Sequence, residues 1–407
     1  AAVAVLEKAM GRLEIRGDSP ELAEGLSQIA RLHRQRNAYD RSIPVYEQAL
    51  AVNRRLENMP GMADDYGGMG LAYKDMGEYD AAIDHLEKAR EIAVALDHRE
   101  LVARFTQNIG LVYWQMDRLD EALTCYQAAL GIAESINHLR GMSICLSTIG
   151  ILHRRRYQYD EALAYYRRAI ELMEQIGDPA NLSMVLGNVG NIYMDLGRFD
   201  QAQAYHQRAL AIDRQLGVTE GVARHLGNIG DALKIQGRWA EARPFFEEGI
   251  PLLRGINGRY YLCWQLVSLA EVLFMLGEEE AAASLAAEGK ALAEKVDRRQ
   301  YHFEAALLET RLAAARHADN AAIIPADVVA RYDLPEEHAQ IAFTTWQLDP
   351  TEDNCAQALQ LIEAMLAETG VYRYRRMLEQ LRRYSAGAVG GEELNTNTTQ
   401  IKTEERN

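Results

Sequence analysis

The sequence repeats itself every 40 residues, and few folds tolerate that. One column reads Ala30, Gly70, Gly110, Gly150, Gly190, Gly230, Ala270. A second reads Ala49, Ala89, Ala129, Ala169, Ala209, Gly249, Gly289, and a third Ser42, Ala82, Ala122, Ala162, Ala202, Ala242, Ala282. Small residues in strict register over seven copies mark stacked supersecondary units, each burying its apolar face on its neighbours. Within a unit, apolar residues recur at helical spacing twice. Leu186, Val189, Gly190 and Tyr193 share one face; Ala202, His206, Ala209 and Leu210 share another. The fold class this predicts is all-α: an α-α superhelix of stacked helix-turn-helix repeats.

Turn residues punctuate the two helices. Asn37, Gly77, Asp117, Gly197, Gly237 and Gly277 fall between them, and all tolerate a left-handed backbone. Tyr157 interrupts that column, which predicts a different fourth turn. Gly17, Asp97, Asn137, Gly177, Gly217, Asn257 and Asp297 end the units. Ser19-Pro20 and Asp178-Pro179 read as a cap followed by a first-turn proline. Asp80, Asp120, Asp160 and Asp200 read as caps of the second helices.

The unit resembles the tetratricopeptide repeat (TPR). The small–Tyr–Ala–aromatic–Ala spacing of that family is matched by Gly110, Tyr113, Ala122, Tyr126 and Ala129. Two features depart: leucines such as Leu146 and Leu186 stand where Trp is usual, and the proline ending the second helix is absent. The longer unit with its NxG motif is similar to the subgroup found in kinesin light chain and in Gα-binding polarity adaptors. The resemblance covers about residues 1–316. It implies a right-handed α-α superhelix, a TPR solenoid, that binds a protein or peptide.

The repeats organise the chain. Residues 1–18 read as the second half of a repeat, which leads to the expectation of a longer protein upstream; a degenerate cap is the alternative. Seven repeats span 19–298, and the first helix of an eighth spans 299–316. Residues 317–384 read as an irregular connection followed by C-terminal capping helices. Asp349-Pro350-Thr351-Glu352 reads as a capping box with proline in the first helical position. A last, Arg-rich helix covers Tyr372–Tyr384, and 385–407 reads as a disordered tail. This layout resembles the C-terminal arrays of bacterial signalling proteins that carry a cyclase, kinase or NTP-driven switch upstream.

Composition narrows the partners. A formal net charge of −15 disfavours nucleic acid. No apolar run is long enough for a membrane span. The four cysteines show no CxxC or disulfide spacing and read as reduced, buried thiols. Ala1–Leu6 is apolar but lacks a basic leader and a cleavage context, so the cytoplasm is the expected compartment. No catalytic, cofactor-binding or metal motif is present. Gly67-Gly68-Met69-Gly70 lies inside a helix and reads as close packing rather than a phosphate loop.

Candidate contacts are groove-facing positions on the first helices. Asn108, Asn188 and Asn228 share a column with Gly68, Thr148 and Ser268; Asn191 lies one turn on, in the column of Asp231 and Glu271. Arg104 and Arg224 precede the Asn column by four residues, and Lys234 belongs to a basic column with Arg34, Lys74 and Arg154. A carboxamide pairs with both N–H and C=O of an extended chain. Arg104, Arg224 and Lys234 favour acidic residues in a partner. By resemblance, the Asn of the NxG motif contacts peptide backbone, while Gly187 and Gly227 stand where a full carboxylate clamp has lysine. A mid-helix Asn also serves by bonding a neighbouring helix or water, and a basic column by lying in solvent; the sequence leaves these open. The reading is a non-enzymatic interaction scaffold; the alternative is a regulatory sensor array answering to a small effector or peptide.

Overall fold

A computed structural model describes residues 17–316, 324–332 and 334–385. Residues 1–16, read as a half repeat, and 386–407, read as a tail, lie outside them. Among the described residues there are nineteen helices and no strand. They divide into two units at the boundary between Asp178 and Pro179.

The first unit holds four hairpins: α1 (Pro20–Gln35) with α2 (Tyr39–Arg55), α3 (Met59–Met76) with α4 (Tyr79–Ala95), α5 (Arg99–Gln115) with α6 (Leu119–Ser135), and α7 (Leu139–Arg155) with α8 (Tyr159–Ile176). The second holds three more: α9 (Pro179–Asp195) with α10 (Phe199–Leu216), α11 (Thr219–Ile235) with α12 (Trp239–Gly255), and α13 (Arg259–Met275) with α14 (Glu279–Lys295). Then come α15 (Arg299–Arg316), a short α16 (Ala326–Arg331), α17 (Pro335–Leu348), α18 (Glu352–Thr369) and α19 (Tyr372–Ser385). Within each unit the first helices of successive hairpins touch one another as well as their own partners, so they line that unit's inner wall.

The small columns permit the close approach. A Cβ on Gly190 would lie 2.6 Å from the His206 ring, and one on Gly230 2.7 Å from Phe246. In the glycine-rich stretch, Gly67 abuts Phe105 and Gly68 abuts Tyr46, each with room for hydrogen only. Around these contacts the core is continuous through α10–α15, with Leu226, Phe246, Leu266 and Ala270 almost wholly inaccessible.

Three local expectations need correction. Tyr157 adopts φ +58°, like Asn37 and Asp117, so the fourth turn has the same geometry as the others; hairpin closure imposes the left-handed residue whatever its side chain. Asp80, Asp120, Asp160 and Asp200 sit at the second helical position. The residues ahead of those helices, Glu78, Arg118, Gln158 and Arg198, make no side-chain cap. The aspartates therefore act through the positive end of the helix dipole rather than as hydrogen-bonded caps. Finally, α18 is capped by Thr351, whose hydroxyl accepts from the Asn354 amide at 3.2 Å, and Pro350 lies outside the helix. Ser19 does cap α1, accepting from Leu22 N–H at 3.2 Å.

In the stretch expected to be an irregular connection, residues 317–323 and 333 lie outside the description, α16 forms, and Tyr332 packs with Phe303, Ile324 and Ile341. The final helices α17–α19 share a separate core built from Trp346, Ile362, Tyr374, Leu378 and Leu381.

Candidate interaction site

In the first unit, Arg104 projects from α5 into solvent. It pairs with Asp64 of α3 at 2.5 Å and lies 4.9 Å over the Phe105 ring. Asn108, one turn further along α5, is half-buried and makes no hydrogen bond to any described residue. The basic column is engaged here too: Arg34 and Lys74 both reach Asp75, each at 2.7 Å.

The second unit brings the remaining candidates onto two adjacent helices. Asn188 and Asn191 lie on α9; Arg224, Asn228 and Lys234 lie on α11. Asn188, Asn191, Asn228 and Arg224 are all half-buried, and none makes a hydrogen bond or ion pair to a described residue. Bonding to a neighbouring helix therefore does not account for these amides, and the exposed part of each is open to water or to a ligand. Their immediate neighbours do pack: Gly187 lies against His225, and Gly227 against Trp264 and Gln265.

Lys234 is placed differently. Its ammonium lies 3.2 Å from Asp231 and 3.0 Å from Glu271, and it donates to Ser268 Oγ at 3.2 Å. Asp231 also accepts from Trp264 Nε1 at 2.8 Å and from Ser268 Oγ at 3.0 Å. Glu271 has a second cation, Arg311, at 3.4 Å. Desolvation would lower the Lys234 ammonium, but Asp231, Glu271 and Glu304 outweigh it and hold its pKa well above the usual range. Burial would raise the Glu271 carboxyl, yet Lys234 and Arg311 hold it at about 2. The network ties α11, α13 and α15 together, so the inner wall is cross-linked there by its own charges. The columns Asn191–Asp231–Glu271 and Asn228–Ser268 contained these residues; Asp231 and Lys234, three apart on one helix, were a visible pair, whereas the link from Lys234 to Glu271 appears only in the structure.

A second polar cluster, missed in the sequence, is buried between α9, α10 and α11. Ser183, His206, Asp213 and His225 are each at most 4% exposed. His225 Nε2 lies 3.3 Å from Asp213 Oδ2 and 3.4 Å from Ser183 Oγ. Ser183 Oγ in turn donates to the Ala209 carbonyl at 3.3 Å. Burial, with the charges of His206 and Arg224, pushes the His225 pKa down to about 3. The available signal was His206 itself, an imidazole in a column that elsewhere holds Tyr46, Leu86, Tyr126, Tyr166, Phe246 and Ala286.

Among the described residues no helix is long and apolar enough to cross a membrane, and no group of three or more His, Cys, Asp or Glu side chains is arranged to hold a metal. Cys145, Cys263 and Cys355 are buried and Cys125 partly so; burial raises the Cys145 thiol to about 11.

Close-packed helical hairpins in a fixed register, with polar side chains along the first helices, define a helical-repeat protein. The tetratricopeptide repeat model matches residues 21–95, 62–135, 101–175 and 181–255, together more than half of the sequence. The chain belongs to the tetratricopeptide repeat family. No curated protein matches it significantly in sequence. Solved structures share the fold at low identity. BtubC (BKLC) from P. vanneervenii is 20% identical, with TM-score 0.51, over 54% of this chain and 93% of that one. A Rap protein complexed with Competence and Sporulation Factor is 14% identical, with TM-score 0.52, over 90% and 99%. A signal transduction ATPase with numerous domains from Pyrococcus horikoshii, bearing a tetratricopeptide repeat sensor, is 15% identical, with TM-score 0.58, over 90% and 54%.

Proposed function

We propose that this chain is a non-enzymatic protein-interaction array and that the inner wall of its second unit receives an extended segment of a partner protein. The observation carrying this reading is the set of half-buried, internally unbonded side chains Asn188, Asn191, Asn228 and Arg224 on adjacent first helices. A half-buried amide without a partner has lost some water and gained nothing for it, which disfavours keeping it there for stability alone. Packed helices lie about 8–10 Å apart, and an extended chain rises about 3.3 Å per residue. Asn188 and Asn228 thus suit backbone groups roughly every third residue of a bound segment. Asn108 is the corresponding amide of the first unit.

The expected charge preference rests on fewer residues than the sequence offered. Arg104 and Lys234 already have internal anions. Of the three basic candidates, Arg224 alone makes no ion pair among the described residues, so one acidic side chain near it is the preference we assign. Affinity capture from the source cells, followed by calorimetry of the captured partner against wild type and an Asn188→Ala/Asn228→Ala variant, tests the assignment. A fall in affinity of tenfold or more is expected; unchanged affinity rejects it.

The second reading is a sensor module within a larger signalling protein. Its support is the fold shared with a repeat sensor of a signal transduction ATPase and with a Rap protein complexed with Competence and Sporulation Factor. The sequence of the complete gene decides it: an upstream catalytic or switch domain favours the sensor, and an initiator Met just before Ala1 removes it.

A further inference from the structure

The helix α19 has two working faces. Tyr374, Leu378 and Leu381 point into the core it shares with α17 and α18. Tyr372 and Arg376, four residues apart and so on one side of the helix, reach instead to the hairpin ends of α9–α12. The Tyr372 ring meets Phe199 edge-on, with centroids 5.2 Å apart at 84°. It also fills the space over Gly197, where a Cβ would lie 2.2 Å from the ring; this glycine, at φ +72°, leaves the slot open. The Arg376 guanidinium donates to the Ile235 carbonyl, 141 residues earlier in the chain. Ile235 is the last residue of α11, where carbonyls lack intrahelical donors and the helix dipole favours a cation. Burial raises the Glu304 carboxyl of α15, and the charges of Lys234 and of Arg373, on the same turn of α19, offset this only in part.

This joint differs from the rest of the second unit. The hairpins α10–α14 and α15 share one apolar cluster, whereas no residue of α19 belongs to it. The contact consists of one aromatic ring in a glycine-floored slot and one guanidinium on a helix end. Neither Tyr372 nor Arg376 belongs to the core that α19 shares with α17 and α18.

We infer that the edge formed by Gly197, Phe199 and the C-terminal carbonyls of α11 is a docking surface for a helix that presents an aromatic residue and an arginine one turn later, and that α19 is its resident occupant. A partner helix with that pair takes the place of the first turn of α19. The tether keeps α19 at high effective concentration, so an external helix binds weakly until the resident pair is removed. This surface is separate from the asparagine-bearing wall, and its failure leaves that reading untouched.

The test uses the full chain and a fluorescent peptide covering residues 370–385. Binding is followed by anisotropy to wild type, to Tyr372→Ala/Arg376→Ala, and to the same double variant carrying Phe199→Ala. The double variant retains Tyr374, Leu378 and Leu381, and circular dichroism confirms its folding. Binding at least tenfold tighter to the double variant than to wild type, lost again with Phe199→Ala, is expected. Equal affinity for wild type and double variant, no binding to the double variant, or binding unaffected by Phe199→Ala overturns the assignment.

Discussion

His206 and His225 meet nitrogen to nitrogen inside the second unit, Nδ1 to Nδ1 at 3.3 Å, with neither ring reaching solvent. One ring must donate and the other accept, so the pair is satisfied only when the accepting nitrogen is unprotonated. Asp213 and Ser183 flank the far side of His225, whose Nε2 lies 3.3 Å from Asp213 Oδ2 and 3.4 Å from Ser183 Oγ.

The first prediction concerns acid stability. With the His225 pKa held near 3 against an unfolded value of 6.5, the unfolded chain binds a proton below pH 6.5 that the folded chain refuses. Stability is therefore unaffected by this group above that pH and falls as pH drops through the window from 6.5 toward 3. The limiting slope is about 1.4 kcal/mol per pH unit. Urea unfolding of the second unit's signal at pH 7, 6 and 5 measures it, and His225→Gln is expected to flatten the dependence. An unchanged slope in that variant disproves the attribution.

The second prediction concerns Lys234. Replacing it by Met leaves Asp231 on α11 with no cation among the described residues and Glu271 on α13 with Arg311 alone. The expected loss is about 1–3 kcal/mol, read from chemical denaturation at pH 7. Because both carboxylates then repel, added salt should recover part of the loss, and a salt-independent deficit would point to packing instead.

A third prediction tests the turn geometry. Tyr157 holds φ +58° with a bulky side chain that is largely exposed. Tyr157→Gly removes the left-handed strain, offset partly by the greater freedom of glycine in the unfolded chain and by the lost edge contact with Tyr159. The net gain is expected to be roughly 1 kcal/mol, visible as a higher melting temperature.

Glycines supply the fourth prediction, because the same substitution should act in opposite directions at two sites. Gly131 lies within α6 with open space where a Cβ would stand, so Gly131→Ala should stabilise by about 0.5–1 kcal/mol through helix propensity. Gly190→Ala drives a methyl into the His206 ring and should destabilise by about 1–3 kcal/mol. Equal effects at the two positions would mean that helix contact distance is not what the small column protects.

The sequence by itself determined the hairpins, their period and their turns. Those features depend on residues close in the chain and on a column repeated often enough to be seen: a glycine at 190 and a small residue at 202 say the same thing at 150 and 162. Even Tyr157, which broke the pattern in the sequence, obeys it in space, since closing a hairpin requires that backbone whatever residue supplies it. What only the tertiary structure decided is which polar side chains are already engaged. Lys234 and Arg224 looked alike as basic residues on one helix, yet one is bound by carboxylates from α11 and α13 and the other is not. The placement of Tyr372 and Arg376 on hairpins far back in the chain was likewise invisible, because no repeat register reaches beyond α15. Periodicity reports what every unit shares; charge pairing and long-range closure depend on what single units do not share, and those are settled only when distant residues meet.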